Sequence, residues 1–235
     1  MEIIEVEEVD STQNLARRLL EIISGDFIVI AKKQTSGYGR KKSKWFSPDG
    51  GLWFTLVIRR EELNLNILPI IVSVSIAKVL EKSINVDVQL KWPNDIYMKN
   101  KKIGGIICEA IIIGERINAI LIGVGLNVNI DEIPEEIKDK ATSIKIETGK
   151  TYDNNKLLRE IVNEIYGSLK VDIKEIINYW RNKDITINKR IRSTYKGKII
   201  EGIVLDINDD GSLKMLTDNY QNIYHWEIDK IEILN

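Results

Sequence analysis

Lys91-Trp-Pro-Asn-Asp95, with the glycine pair Gly104-Gly105 after it, is the stretch from which the architecture can be read. A proline fixes its own φ and drives the residue before it toward extended geometry. Val88 to Trp92 is therefore expected to be a strand that stops at Pro93, with Lys91 near its end. Met98 to Lys102 reads as a polar hairpin turn, and Ile103 to Ile113 as the returning strand. Its two glycines interrupt an apolar run, and glycine inside a strand often marks close approach of a ligand or of another backbone. Taken singly, these parts read as a salt-bridged lysine, a turn proline and a bulge. Their combination sets a cation, a rigid corner, an amide, a carboxylate and bare backbone together, which favours a site.

The rest of the chain bounds what that site can do. Its 235 residues, 43% hydrophobic and 29% charged, are enough for one large domain plus a small appendage around a sizeable core. No apolar run approaches the roughly 18 residues of a membrane span, and the acidic start Met1-Glu2-Ile3-Ile4-Glu5 has neither signal nor transit character, so a cytoplasmic protein without membrane contact is expected. One cysteine, Cys108, excludes an internal disulfide, and one histidine, His225, excludes zinc sites built from several such ligands. Cys108 lies in an apolar context, as a core thiol would. Catalysis then has to rely on positioning and electrostatics. A net charge of −1 gives no general field for nucleic acid.

In chain order, Ile3 to Val9 reads as an opening strand. Asp10-Ser11-Thr12 offers N-cap chemistry to a helix with Leu15, Leu19 and Ile22 at helical spacing, ended by Gly25. Ser11 and Thr12 read as caps; the alternative is that the free N–H groups and hydroxyls of this helix start face a ligand. Phe27 to Ala31 is a buried strand, and from Lys32 to Lys44 there are six basic residues, no acidic one and glycines at 37 and 39, closing on Trp45. Such a loop is either a solvated surface or a cover that holds phosphates. It is not a Walker loop. Leu52 to Ile58 reads as a strand buried on both faces, Ile67 to Lys82 as a helix covering the sheet, and Ile117 to Val128 as a further strand. Asp131 to Lys150 reads as loop, and Asn154 to about Trp180 as one helical stretch. Segments at Ile199 to Leu205, Leu213 to Thr217 and Asn222 to Trp226 suggest a small barrel or sheet as a second unit.

This ordered set of motifs resembles the biotin protein ligases, in their short form without an N-terminal DNA-binding domain. Lys91-Trp-Pro-Asn-Asp95 matches the family signature without change. Gly37-Tyr-Gly-Arg-Lys-Lys-Ser-Lys-Trp45 is similar to the family's Gly-Arg-Gly-Arg-Arg-Gly-Arg-x-Trp ligand loop. Ser11-Thr12, Gln34-Thr35, Lys102-Ile-Gly-Gly105 and Gly123-Val-Gly-Leu-Asn-Val-Asn129 fall where the family has equivalents. The resemblance implies an α+β fold: a mixed β-sheet flanked by helices over residues 1–184, then a small C-terminal all-β barrel over residues 185–235.

It also implies two half-reactions. Biotin and MgATP give biotinyl-5′-AMP and pyrophosphate, and the acyl group then passes to a lysine of a biotin carboxyl carrier protein of a biotin-dependent carboxylase. Carried over, Ser11, Thr12 and Gln34 meet the ureido or a neighbouring part of biotin, and Gln13, Tyr38, Gly39, Gly104 and Gly105 belong to its pocket. Arg40 and Lys91 meet the carboxylate and the ATP phosphates, Trp45 packs on adenine, and Asn127 binds the nucleotide. Asp95 either assists the transfer or holds Lys91. Magnesium is held mainly through the ATP phosphates. Attack of a carboxylate on an α-phosphate opposes two anions, so fixed cations are the catalysts needed. The loop departs from the pattern at Tyr38, Lys42 and Ser43, where the family has Arg, Gly and Arg. A lipoate-type ligase and a biotin or adenylate sensor are the alternatives; the intact signature favours biotin. The first strand and Ser11-Thr12 begin almost at once, so no helix-turn-helix and no nucleic-acid partner is expected. An exposed sheet edge would support a homodimer.

Overall fold

The computed structural model describes residues 1–60, 63–218 and 220–234. Its first layer is a seven-stranded sheet in the order β1-β2-β3-β7-β6-β5-β4. These are β1 (Glu2–Val9), β2 (Phe27–Gln34), β3 (Leu52–Ile58), β4 (Gln89–Lys91), β5 (Asp95–Met98), β6 (Lys101–Ile113) and β7 (Arg116–Leu126). β1 runs parallel to β2, joined by helix α1 (Thr12–Leu19), and the remaining neighbours are antiparallel. The mixed sheet flanked by helices is thus as expected.

Period-2 alternation gives each strand two jobs. Ile28, Ile30, Leu56, Ile58, Ile120 and Ile122 enter the main core. Their neighbours Phe27, Val29, Val57, Ala119 and Leu121 form a smaller cluster with Ala16 of α1 on the other face. The main face is covered by α2 (Leu68–Ile84), α4 (Asn154–Ser168) and α5 (Ile173–Lys183). α2 is apolar nearly all round because sheet, α4 and α5 enclose it.

On the second face the cover is shorter. α1 has only eight residues, and at and beyond its polar N-terminal end the same sheet positions change to Thr55, Gly123 and Gly125. Bare backbone under an uncovered part of a sheet leaves a hollow, and the site lies there.

Several expectations need correction. α1 stops at Leu19, and Ile22 is 76% exposed rather than buried. Arg59 Nη2 donates to the carbonyls of Leu20 and Ile23, both at 2.6 Å, and so holds the chain in the turn that leaves the helix. Asn154 to Trp180 is two helices, because Asp172 begins α5 afresh by accepting the Lys174 N–H at 2.9 Å. The loop from Asp131 contains a short helix, α3 (Ile144–Thr148), with Ser143 as its N-cap, accepting from Ile146 N–H at 3.0 Å, and Gly149 left-handed at its end.

The C-terminal unit is a five-stranded antiparallel sheet in the order β11-β10-β9-β8-β12. It consists of β8 (Arg190–Tyr195), β9 (Lys198–Ile207), β10 (Leu213–Leu216), β11 (Tyr220–Ile223) and β12 (Glu232–Ile233). β8 and β12 were not foreseen: β8 is polar apart from the buried Ile191, and β12 is only two residues long. The strand expected from Asn222 ends at Ile223, and Tyr224 to Trp226 turn away toward the first sheet. Ile191, Val204, Ile207, Leu213 and Met215 join the same apolar core as α2 and β3, so the two sheets share one interior. Among the described residues, no helix is long and apolar enough to cross a membrane.

The exit of α5 sets β4 in place. Ile185 N–H donates to Leu90 O at 2.9 Å, and Trp180, fully buried, donates its indole N–H to Asp184 Oδ2 at 2.6 Å. Trp180→Ala should cost about 3–5 kcal/mol of unfolding free energy, read by urea denaturation, since it opens a large cavity and strips a buried carboxylate of a donor.

Candidate active site

A cavity of about 510 Å³ fills the hollow beyond α1. Its walls are the start of α1, the basic loop, the β4–β5 corner, and β6 with β7, while residues 229–231 of the C-terminal unit close one side. Of the predicted residues, Ser11, Thr12, Gln13, Gln34, Tyr38, Gly39, Arg40, Trp45, Lys91, Asp95, Gly105 and Asn127 all line it. Gly104 does not: strand alternation turns it to the opposite face, where an added Cβ would lie 3.0 Å from Leu126 and 3.5 Å from Ile96.

The α1 end is a hydrogen-bonded polar wall. Gln34 Oε1 accepts from Thr12 N–H at 2.8 Å and Thr12 Oγ1 at 3.2 Å, while Gln34 Nε2 donates to Ser47 Oγ at 2.9 Å. Thr55 Oγ1 donates to Thr12 Oγ1 at 2.9 Å from the sheet beneath. Ser11 makes no side-chain cap bond, so the expected capping role is not the one it plays. Gln13 Nε2 donates to Glu109 Oε2 at 3.0 Å. An ionised carboxylate only accepts, so the amide is oriented and its Oε1 is left against the bare Cα of Gly123, buried and without a donor.

The opposite end is cationic. Arg40 Nη2 donates to the carbonyls of His225 and Ile228, the latter at 3.0 Å, and Lys91 Nζ donates to Ile231 O at 2.9 Å. Burial lowers the pKa of both cations, an effect that the Asp95 charge partly offsets. Asp95 does not pair with Lys91; its carboxylate takes Lys102 Nζ at 2.5 Å. The reason is register: Lys91 and Asp95 face each other across the β4–β5 pair, but Lys102 on the neighbouring β6 is nearer and Lys91 turns to the C-terminal chain.

Trp45 lies on the floor. A Cβ on Gly125 would meet its Nε1 at 2.5 Å, so only glycine admits the ring there, and its indole N–H has no partner. Lys102 Nζ stands 5.0 Å from the ring centroid. Asn127 is held by its own bonds, Nδ2 to Thr142 O at 2.8 Å and N–H to Ile103 O at 2.7 Å. The basic loop is a short 3-10 turn, Arg40–Lys42, with Lys41 paired to Asp229. Among the described residues, no group of three or more His, Cys, Asp or Glu side chains could hold a metal ion. Burial pushes the Cys108 thiol far up, consistent with the expected core role.

The sequence reading missed Glu109, Lys102 and the C-terminal carbonyls. Glu109 was detectable, because Gly105, Ile107 and Glu109 share one face of β6. The carbonyls were not, since any residue offers one.

Residues 5–127 match the biotin/lipoate A/B protein ligase family, and residues 186–224 match the biotin protein ligase C terminal domain. The chain belongs to the biotin/lipoate A/B protein ligase family. Within that family it is similar to the biotin protein ligase from Aquifex aeolicus, solved in complex with biotin and ATP, at 32% identity and TM-score 0.87 over 99% of both chains. It is 31% identical over 220 residues to the bifunctional ligase/repressor BirA of Escherichia coli, 89% of this chain and 68% of that protein. It is also 26% identical over 216 residues to the biotin–[acetyl-CoA-carboxylase] ligase of Paracoccus denitrificans, covering 87% and 90%.

His225, whose carbonyl serves Arg40, has its imidazole pKa pushed down to about 4, first by burial and then by the Arg40 charge. The folded chain therefore refuses a proton that the unfolded chain takes up near pH 6.5, and stability contributed by neutral His225 is lost as pH falls from about 6.5 to about 4. The slope from this group is at most about 1.4 kcal/mol per pH unit. Urea titrations across that window should show it, and His225→Gln should flatten it.

Proposed function

We propose that the protein is a biotin protein ligase that activates biotin with MgATP to biotinyl-5′-AMP and transfers the biotinyl group to one lysine of a biotin carboxyl carrier protein. The observation that carries this reading is the convergence of two desolvated cations, Arg40 and Lys91, on a cavity whose other end is a polar wall of Thr12, Gln13 and Gln34. The division into a ligase unit over residues 1–184 and a C-terminal unit over 185–235 is part of the proposal.

Biotin's ureido ring goes to the polar wall. Gln13 Oε1, buried without a donor, suits a ring N–H, which the dithiolane of lipoate lacks. Leaving a buried acceptor unpaired costs about 1–3 kcal/mol, which favours biotin over lipoate. The valeryl chain crosses the cavity and places its carboxylate between Arg40 and Lys91. The α-phosphate of ATP lies against the same cations. The adenine stacks on Trp45, with Asn127 shaping the nucleotide end and Tyr38 and Gly39 covering biotin. Magnesium, when bound with the triphosphate, would offset part of its negative charge.

The carboxylate oxygen attacks the α-phosphorus and pyrophosphate leaves. Arg40 and Lys91 offset the repulsion between the two anions and the charge that develops as they meet. Holding both substrates in line contributes up to about 7–11 kcal/mol in the best-oriented reactions. In the second step the carrier lysine amine attacks the acyl carbon and AMP leaves. Asp95, bound to Lys102 beside the cavity, holds that lysine's charge near the phosphate and helps position the corner that carries Lys91.

Labelled biotin, MgATP and a biotin carrier domain test the whole reading, with lipoate as competitor and a carrier lysine mutant as blank. Incorporation should require ATP and the lysine and resist lipoate. Adenylate without transfer would favour a sensor, and suppression by lipoate would favour the lipoate-type alternative. Arg40→Ala and Lys91→Ala should each lower pyrophosphate release by about a hundredfold or more, the usual effect of losing one electrostatic stabiliser. Unchanged release in either variant removes that residue from the chemistry.

A further inference from the structure

The basic loop is tied down on two sides. Arg40 and Lys41 reach the C-terminal chain, as described above. Tyr38 and Lys42 turn the other way, onto a single carboxylate. Glu109 on β6 accepts from Tyr38 OH at 3.2 Å through Oε2, and its Oε1 lies 3.8 Å from Lys42 Nζ. The Lys42 ammonium also stands 3.6 Å from the centroid of the Tyr38 ring. From α1, Gln13 Nε2 and Arg17 Nη2 donate to the same Oε2, each at 3.0 Å. A carboxylate presents two oxygens and about four lone-pair sites, enough to serve loop and helix together. Tyr38 and Lys42 are two of the positions where this loop departs from the pattern of its family, and both departures end on Glu109.

We propose that Glu109 is the positioning residue that holds the basic loop closed over the cavity. It touches no reacting atom; it acts through Tyr38 and Lys42 on the loop that carries Arg40 and Trp45, and through Gln13 on the wall. Its consequence for catalysis rests on the ligase reading, whereas the tie itself does not. With the loop open, water attacks the acyl carbon of the mixed anhydride. The bond from that carbon to the phosphate oxygen breaks, AMP leaves with the electron pair, and biotin is regenerated as its carboxylate after loss of a proton. Opening therefore appears as AMP formed without acylation of the carrier.

Glu109→Gln keeps the side chain's shape and removes its charge. Trypsin cleavage of the ligand-free protein after Arg40, Lys41, Lys42 and Lys44, mapped by mass spectrometry, reads loop opening, with cleavage after the exposed Arg116 as internal reference. We expect the loop-to-Arg116 ratio to rise about threefold, the scale of losing a partly exposed ion pair from a local opening equilibrium, with the melting temperature unchanged. Tyr38→Phe, which removes only a hydroxyl, should raise the ratio by less and keeps the test available if the first variant folds poorly. Arg17→Gln should leave the ratio as it is, because Arg17 binds the carboxylate but not the loop. An unchanged ratio in both Glu109→Gln and Tyr38→Phe, or an equal rise in Arg17→Gln, overturns the proposal. In the carrier assay, Glu109→Gln should release more AMP per biotinyl group transferred. If the ratio rises while neither wild type nor variant forms AMP, the tie stands and the ligase reading falls.

Discussion

A cation removed from water must find acceptors, and the kind of acceptor decides whether its charge survives. Arg40 and Lys91 both meet main-chain carbonyls, from residues 225, 228 and 231. A carbonyl dipole satisfies an N–H donor without cancelling the positive charge, whereas a carboxylate would do both. The acidic groups close by are committed elsewhere, Asp95 to Lys102 and Asp229 to Lys41. Two uncompensated positive charges are thereby kept facing one cavity, and the second sheet has to be docked where it is for that to hold.

The hollow itself follows from a mismatch of lengths. The strands continue past the first residues of α1, and at that end of the helix their side chains shrink to threonine and glycine. Gly125 admits the Trp45 ring, Gly123 admits the Gln13 amide, and the polar start of α1 completes the wall. Position on the sheet brings these groups together.

Much of this was legible in the sequence because it depends on period and punctuation. The strand ending at Pro93, the hairpin after it, the largely apolar β3 and the covering helix α2 follow from proline geometry and apolar runs, and the structure has them. Twelve of the residues that the family resemblance singled out converge on one cavity. Gly104 was misplaced because two adjacent glycines in a strand face opposite ways, and of the two roles expected of Asp95 the direct hold on Lys91 is absent because its carboxylate takes the cation nearest in space, which lies on the next strand. The break between α4 and α5 was hidden because both helices bury one side in the same core, so the apolar period runs on across the joint. The carbonyls that hold Arg40 and Lys91 had no signal at all, since acceptors on the main chain carry no side-chain identity.

The docking of those carbonyls has a consequence for the order of biosynthesis. Arg40 and Lys91 leave the ribosome well before their partners at His225, Ile228 and Ile231. Domains fold as the chain emerges, N-terminal part first. The nascent first sheet can thus form while its two cations are still wetted and unaligned, and the cavity acquires its electrostatic character only when residues 225–231 have emerged and docked. Docking of the C-terminal unit is in this sense the event that arms the site.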